Sequence, residues 1–534
     1  LFISDSYKER EEYIKNITRG QQALWKYGIS GDLPIVLVVI KDEEEIDLIR
    51  QVLNAHEYIR RKGLKFDLVI LNMQDTAYIQ PLQDSIKDLI ASSYARDKEN
   101  ISGGVFLNNK SSMEKEDIDL LMAISALVLE GEKGLLSKQI QTEELEKEEL
   151  EKLNVSKKDY NYSFDDFDIN KLEYYNDIGG FDLENDEYVI VLKDEKTTPA
   201  PWVNVIANEN FGFLVSASGS PYTWYKNSRE NKITTWSNDW ITDPPAEVIY
   251  VRDEDTGEVW SITPEPIREN GEYVIHHGFG YSKFQHQSHG IVGNINMFVP
   301  MNENVKICEV ELKNICDVDR NLSLTYYAQL VLGVVPQKTD IHVVTYLNEE
   351  KKYIYARNPY SDSFGNLTAY LKIIGGSEES FTGDRSEFIG KGESLKNPKA
   401  LENIRLSNSV GAGMDPCFGE NSKFTIKAGE DKKLLIILGE DENIEAIEKI
   451  VDKYEDISKA TEELESSKNY WRKSLHTIKV KTPDETMDLM LNGWLLYQTI
   501  SCRIWARSAF YQSGGAFGFR DQLQDEIGRA SCRE

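Results

Sequence analysis

Two stretches of this sequence crowd together the side chains that a sugar site requires. Residues 219–236 read Gly-Ser-Pro-Tyr-Thr-Trp-Tyr-Lys-Asn-Ser-Arg-Glu-Asn-Lys-Ile-Thr-Thr-Trp. Tyr225, Asn227, Arg229 and Trp236 are its candidate ligands. Aromatic faces stack on the apolar C–H face of a pyranose, while amide and guanidinium groups bond its hydroxyls. The same residue types would equally fill the core and turns of a β-sandwich, and the chemistry leaves both readings open. The second stretch, 505–525, places Arg507, Arg520, Asp521 and Asp525 around Gly514, Gly515 and Gly518. Glycines permit tight backbone geometry there, and arginine binds hydroxyls or phosphate bidentately. The plainer alternative is a helix cap with surface ion pairs, each worth little. A third cluster, His276-His277 and His286-Gln287-Ser288-His289, has no carboxylate or thiolate at a metal-motif spacing. Strand-end packing is the expectation there, with no metal.

These residues need a scaffold, and the chain is long enough to build several. It has 534 residues, 40% of them hydrophobic and 10% aromatic, which calls for two to four packed domains. The formal net charge of −29 repels phosphate backbones and anionic lipid, so neither nucleic acid nor a membrane surface is expected as a partner. The longest apolar run, 33–40, is far below the roughly 20 residues of a membrane helix. The chain opens Leu1-Phe2-Ile3-Ser4, without a methionine or a signal pattern, and reads as the cut edge of a longer one. Five scattered cysteines form no disulfide framework and fit a reducing cytosol.

Periodicity divides the chain further. Residues 1–130 alternate helix (7–26, 42–62, 81–94, 114–129) with strand (33–40, 66–71, 104–107), the pattern of a small parallel α/β unit with a leading helix. No phosphate-binding glycine fingerprint accompanies it; Gly28 and Gly31 precede the strand instead of following it. Residues 131–197 form a charged helical linker and connector. Residues 198–440 carry many short β-rich runs separated by turn signals, which predicts a large antiparallel β-sandwich. Residues 441–481 return to helix as a linker. At Thr482-Pro483-Asp484-Glu485 a new helix starts, with Thr482 as N-cap and Glu485 closing a capping box. Its apolar face, from Met487 through Trp494 and Tyr497 to Trp505, is wide and requires a partner layer, which the chain stops short of building. Residues 526–534 continue neither periodicity nor motif and read as a foreign tail.

At this point the chain resembles the cyclic β-1,2-glucan synthetase and 1,2-β-oligoglucan phosphorylase branch of glycoside hydrolase family 94. The resemblance is carried by Gln22-Ala23-Leu24-Trp25-Lys26-Tyr27-Gly28-Ile29-Ser30-Gly31-Asp32-Leu33-Pro34, which is similar to the linker into that branch's α/β insertion. In the sandwich it is carried by Thr198-Pro199-Ala200-Pro201-Trp202-Val203-Asn204, Trp224-Tyr225-Lys226-Asn227-Ser228-Arg229, Thr382-Gly383-Asp384-Arg385 and Gly413-Met414-Asp415-Pro416-Cys417. The most specific motif runs from Tyr511 through Phe519-Arg520-Asp521-Gln522 to Asp525. The resemblance implies a multidomain α+β protein: a small parallel α/β domain, a large antiparallel sandwich, a helical linker and, from 482 to 525, the first helix of a truncated (α/α)6 barrel. It also implies inverting phosphorolysis of a β-linked glucooligosaccharide, with inorganic phosphate as co-substrate, no cofactor, and a homodimer. Arg507, Arg520 and Asp525 would hold the sugar beside the cleaved bond, while Tyr225, Asn227, Arg229 and Trp236 would serve the acceptor side. The family's acid sits in a Trp-Asn-Asp stretch, which occurs nowhere in this sequence, so the general acid is expected beyond residue 534 and this chain is expected to be inactive. The alternatives are the corresponding part of a cyclic glucan synthetase and a carbohydrate-binding sandwich without catalysis.

Overall fold

The computed structural model describes residues 10–74, 80–140, 150–158, 160–164, 166–509 and 512–514. Its first sheet is wholly parallel: β1 (Ile35–Ile40), β2 (Asp67–Asn72), β3 (Val105–Asn109) and β4 (Leu127–Glu130) lie in the order β3-β2-β1-β4. The strands are near-continuous apolar runs because both faces are covered. Val38 and Ile40 face the helices Ile46–Arg61 and Pro81–Ser92, where Leu48, Val52, Leu82 and Ile86 meet them. Leu37 and Val39 face the helix Lys115–Ile124 and the leading segment, through Leu120, Ile124, Ile14 and Leu24.

Two expectations fail here for local reasons. The helix predicted over 7–26 is, among the described residues, a short helix Glu11–Lys15 and a tighter turn Gln21–Tyr27. The segment gives up helical bonds to dock on the sandwich. The Gln21 amide donates to the Tyr360 carbonyl at 3.4 Å, the Gln22 amide to Asp362 at 3.2 Å, and the Tyr360 hydroxyl to the Gly31 carbonyl at 3.2 Å. The fully buried carboxylate of Asp117 fixes the same segment, pairing with Lys26 at 2.6 Å and Arg19 at 3.0 Å. The helix predicted over 114–129 ends at Ile124, Ser125 turns extended, and the remainder is β4. Helix and strand adjoin here without glycine or proline, so the apolar run gives no sign of the change.

The two large sheets are antiparallel throughout. One runs Val259–Ser261, Glu247–Asp253, Arg320–Gly333, Lys232–Thr234, Pro221–Tyr225, Phe211–Ser216, Val203–Ala207, with Pro416–Ile426 and Ser377–Asp384 branching from Arg320–Gly333. The other has ten strands among the described residues, from Val344–Asn348 at one edge to Glu187–Lys193 and Gly179–Asp182 at the other. Those last two strands lie in the stretch expected to be connector, so the sandwich begins before 198. The run Glu187-Tyr-Val-Ile-Val-Leu-Lys193 is β-branched and buried, but charged neighbours on both sides hide it in the sequence. The core between the sheets gathers Phe213, Trp260, Tyr273, Phe284, Tyr326 and Phe418.

Helices Ile444–Tyr454 and Ser458–Leu475 follow, the first capped by Asn443, whose side chain accepts from the Glu445 amide at 2.9 Å. The last helical segment occupies 485–506, with wide π turns at Met490–Trp494 and Thr499–Ala506. Asp484, not Thr482, is its cap: its carboxylate accepts from the Thr486 amide at 2.9 Å, while the Thr482 hydroxyl is spent on the Asp484 backbone. The partner layer that the sequence left missing is in part the sandwich itself. Trp494, Tyr497 and Ile500 pack on Trp471, Leu475 and Phe279. The Tyr497 hydroxyl reaches Asn204 Oδ1 at 2.9 Å and accepts from the Gly280 amide at 3.1 Å. Ser501 donates to the Val205 carbonyl. Met487, Leu491 and Leu495, four apart, remain exposed on the other side. No helix among the described residues is long and apolar enough to cross a membrane.

Candidate functional site

The hairpin of strands Pro221–Tyr225 and Lys232–Thr234 carries the first motif, with Trp224 opposite Lys232. Its loop is built by Asn227, whose Oδ1 accepts from the amides of Arg229 and Glu230, each at 3.0 Å. Lys226 ahead of it takes a left-handed backbone, φ 62°, and its amide donates to Asn210. Tyr225 lies below the loop. Its ring is buried beside Phe211 and its hydroxyl accepts from Asn304 at 3.2 Å; burial pushes that hydroxyl up to about 12. Asn231 ties the loop down further, donating to the Tyr225 carbonyl and, at 2.6 Å, to the fully buried carboxyl of Glu440. Burial raises Glu440 to about 8, so at neutral pH it is mostly protonated. Arg229 projects from the loop tip, paired with Glu230 at 3.5 Å.

The helix 485–506 ends against this hairpin. Arg507 terminates it in a left-handed conformation, φ 49°, which is uncommon for a residue with a side chain. The next residues, Ser508–Ala509, pair with Gln512–Ser513, and the Gly514 amide returns to the Arg507 carbonyl at 2.6 Å. The Arg507 guanidinium donates to the Lys226 carbonyl at 3.4 Å, and burial lowers its pKa below the ordinary arginine value. Ser508 shares a hydrogen bond with the Tyr222 hydroxyl. Trp236 stacks on that same Tyr222 ring, centroids 5.2 Å apart and planes 19° from parallel, and Trp224 packs on it at 5.3 Å.

The structure places Trp236 and Ser508, the residue after Arg507, on the fully buried Tyr222, and takes the Arg507 guanidinium to the Lys226 carbonyl past the far end of the Tyr222 strand. It buries Tyr225, builds the loop on Asn227 and sets Arg229 at its tip. Arg520, Asp521 and Asp525 lie outside the described residues, as do residues 526–534. Sequence reading missed Tyr222 and Ser508 as a pair. They stand 286 residues apart, and no local pattern joins them. A half-buried guanidinium suits a sugar hydroxyl or an oxyanion.

The histidines are elsewhere and differently engaged. His276 bonds Glu187 at 2.7 Å and Gln285 at 3.0 Å. Glu269 gathers His289 at 2.9 Å, His286 at 3.5 Å and the Ser288 hydroxyl. Burial alone would raise that carboxyl, but the hydrogen bonds pull it down to about 2. Among the described residues no three of His, Cys, Asp and Glu are placed to hold a metal.

Comparison with known proteins adds a lineage to this geometry. The family model "Glycosyl hydrolase 94, supersandwich domain" matches residues 186–457, and "Glycosyl hydrolase 94 superfamily, catalytic domain" matches residues 470–533. The chain is similar to the cyclic beta-(1,2)-glucan synthase NdvB of Rhizobium meliloti, 32% identical over 97% of this chain and 19% of that protein. It is similar to the N,N'-diacetylchitobiose phosphorylase of Vibrio furnissii, 30% identical over 65% of this chain and 44% of that one. A 3-O-beta-D-glucopyranosyl-beta-D-glucuronide phosphorylase of Paenibacillus borealis is 23% identical over 66% and 44% respectively. The chain thus spans under half the length of these relatives.

Proposed function

The chain belongs to the glycosyl hydrolase 94 family, and from that premise we propose that it is part of an inverting phosphorylase of β-1,2-glucooligosaccharides. In the proposed reaction a phosphate oxygen bonds to the anomeric carbon of the terminal glucosyl unit as the glycosidic C–O bond breaks. One carboxylic acid gives its proton to the departing oxygen, and inversion yields α-glucose 1-phosphate. Phosphate replaces the base-activated water of an inverting hydrolase, so a single protein carboxyl suffices. Arg507, with Arg520 and Asp525, holds the glucosyl unit, and the hairpin side of the sandwich meets the acceptor.

The observation that carries this reading is the meeting of Arg507 with the Lys226 carbonyl of the hairpin. It joins the end of the last helix to the sandwich motif at one place. The β-1,2 linkage is supported by the likeness to a cyclic glucan synthase, which covers 97% of this chain, against 65% for the chitobiose phosphorylase. That coverage equally favours a second reading, in which the same module is part of a cyclic glucan synthase. Both readings carry a homodimer and a reducing cytosol, where the free Cys308, Cys316, Cys417 and Cys502 would persist as thiols.

No residue of this chain is assigned as proton donor, since no Trp-Asn-Asp occurs in it. The test is incubation of the 534-residue chain with β-1,2-glucooligosaccharide and phosphate, assayed for glucose 1-phosphate. We expect retention of the oligosaccharide in affinity electrophoresis and no turnover. Robust turnover would overturn the missing-acid argument, and failure to retain any β-glucan would overturn the substrate.

A further inference from the structure

The loop after Trp236 reads Ser237-Asn238-Asp239-Trp240-Ile241-Thr242-Asp243. It displays two large apolar side chains to solvent, Trp240 at 62% exposure and Ile241 at 85%. A slack loop would fold such side chains back onto the protein, but this one is held. Asp239 Oδ1 accepts from the amides of Ile241 at 3.0 Å and Thr242 at 3.2 Å, and Oδ2 accepts from the Thr242 hydroxyl at 2.6 Å. The Asp243 amide closes the turn onto the Asp239 carbonyl at 2.9 Å, and the Asp243 carboxyl takes the Ser218 hydroxyl. Asn238 and Asp243 both adopt left-handed backbones, φ 53° and 41°, which the Asn and Asp side chains tolerate best. The indole of Trp240 is therefore presented by design of the turn.

That ring also has neighbours of the right kind. Trp240 and Trp236 line one pocket together with Ser237, Asn238, Asp239 and Pro201. Trp236 lies on Tyr222, and the Tyr222 hydroxyl meets Ser508, the residue after Arg507. The aromatic lining thus extends from Trp236, seated on the fully buried Tyr222, to the exposed Trp240. Polar side chains flank its outer end, as a pyranose needs for the hydroxyls around its C–H face.

We propose that Trp240 is an outer stacking platform for a β-linked glucan chain, engaging units remote from the one held at Arg507 and so setting a preference for longer chains. The proposal rests on the sugar-binding reading above and names a specificity residue for it. A loop fixed before binding loses little further freedom when a chain settles on it. Short oligosaccharides end before they reach the platform and gain nothing from it.

The test is calorimetric titration of the 534-residue chain with β-1,2-glucooligosaccharides of two and of six units, comparing the parent with Trp240→Ala and Trp240→Phe. We expect Trp240→Ala to weaken six-unit binding on the order of ten-fold, the worth of one stacked ring. Two-unit binding should not change, and Trp240→Phe should keep most of the six-unit affinity. The side chain is exposed, so the thermal midpoint should hold in both variants. Equal weakening of both lengths, or no change in either, overturns the platform while leaving the sugar-binding reading standing. A change in sedimenting mass without a length-dependent loss overturns it in favour of a second copy of the chain on this loop. A parent that binds neither oligosaccharide overturns the sugar-binding reading itself, and the platform with it.

Discussion

Two lysines of the sandwich lie over aromatic rings and end in opposite roles. Lys306 sits 5.3 Å from the Phe213 ring and 5.7 Å from that of Tyr326, fully buried between the sheets. It pairs there with Glu247, whose other oxygen accepts from the hydroxyls of Thr223 at 2.7 Å and Thr234 at 2.6 Å. Burial alone would raise the Glu247 carboxyl; the Lys306 ammonium and the surrounding hydroxyls hold it below its usual range. Lys226 sits 5.2 Å from the Tyr225 ring, but its side chain is 39% exposed, its partner Glu442 is more exposed still, and its carbonyl is taken by Arg507. The residue types match in the two places. What differs is saturation: a buried charge must have every neighbour committed to it, which leaves nothing for a ligand. The Lys226 hairpin keeps its charged groups in partial contact with water, where a substrate can exchange for it.

The largest effect should come from breaking the saturated half. Lys306→Met leaves Glu247 charged and uncompensated in the core, at a cost of about 3–5 kcal/mol in unfolding free energy. Replacing both partners, as Lys306→Met with Glu247→Leu, should recover most of it. Denaturant midpoints measure both, and a single variant that costs under about 1 kcal/mol would show the pair to be no scaffold.

A second effect probes the boundary between the halves, at Glu440 beneath the hairpin. Its carboxyl holds a proton in the fold up to about pH 8, while an unfolded glutamate loses it near 4.5. Between those values the native state binds the extra proton, so stability falls as pH rises through the window. Glu440→Gln keeps the shape and cannot ionise. Its thermal midpoint should overtake that of the parent as pH goes from 5 to 8, and parallel curves would mean that Glu440 is not buried as a neutral acid.

How much of this was legible beforehand depends on distance along the chain. The parallel unit was readable because β1 and β2 are unbroken apolar runs flanked by amphipathic helices, and Ile35–Ile40 falls inside the expected 33–40. The sandwich strands were readable from turn signals, apart from Gly179–Asp182 and Glu187–Lys193, which charged neighbours obscured. The helix cap was misplaced by two residues because Thr482 and Asp484 are both good caps and only the backbone decides between them. The candidate site was legible as residue types. The contact of Ser508 with Tyr222 was not, because the two are joined by folding alone. Nor could spacing show that Tyr225 points into the core while Arg229 points away from it.

On the open half, Arg507→Ala should be the heavier loss, measured in a longer chain that carries a complete catalytic domain. A charged hydrogen bond to the reacting unit is worth about 1.5–3 kcal/mol. That is roughly ten- to hundred-fold in kcat/KM. The unfolding midpoint should move little by comparison. A collapse in stability with unchanged kcat/KM would make Arg507 a structural cap on the Lys226 carbonyl and nothing more.

The smallest effect belongs to Arg229, and it sharpens the comparison most. Its side chain is 56% exposed and its contact with Glu230 is long, so stability should change by no more than about 0.5 kcal/mol in Arg229→Ala. The loop itself survives the substitution, because Asn227 bonds the Arg229 backbone amide and not its side chain. What the guanidinium can offer is a contact with the acceptor end of a bound chain, made equally in the ground and transition states. Losing such uniform binding raises KM and leaves kcat alone, by a few-fold for one exposed contact. Steady-state kinetics beside Arg507→Ala decides the matter. If Arg229→Ala instead lowered kcat as far as Arg507→Ala does, the loop tip would reach the reacting unit, and the division between a helix-borne reacting subsite and a hairpin-borne acceptor subsite would fall.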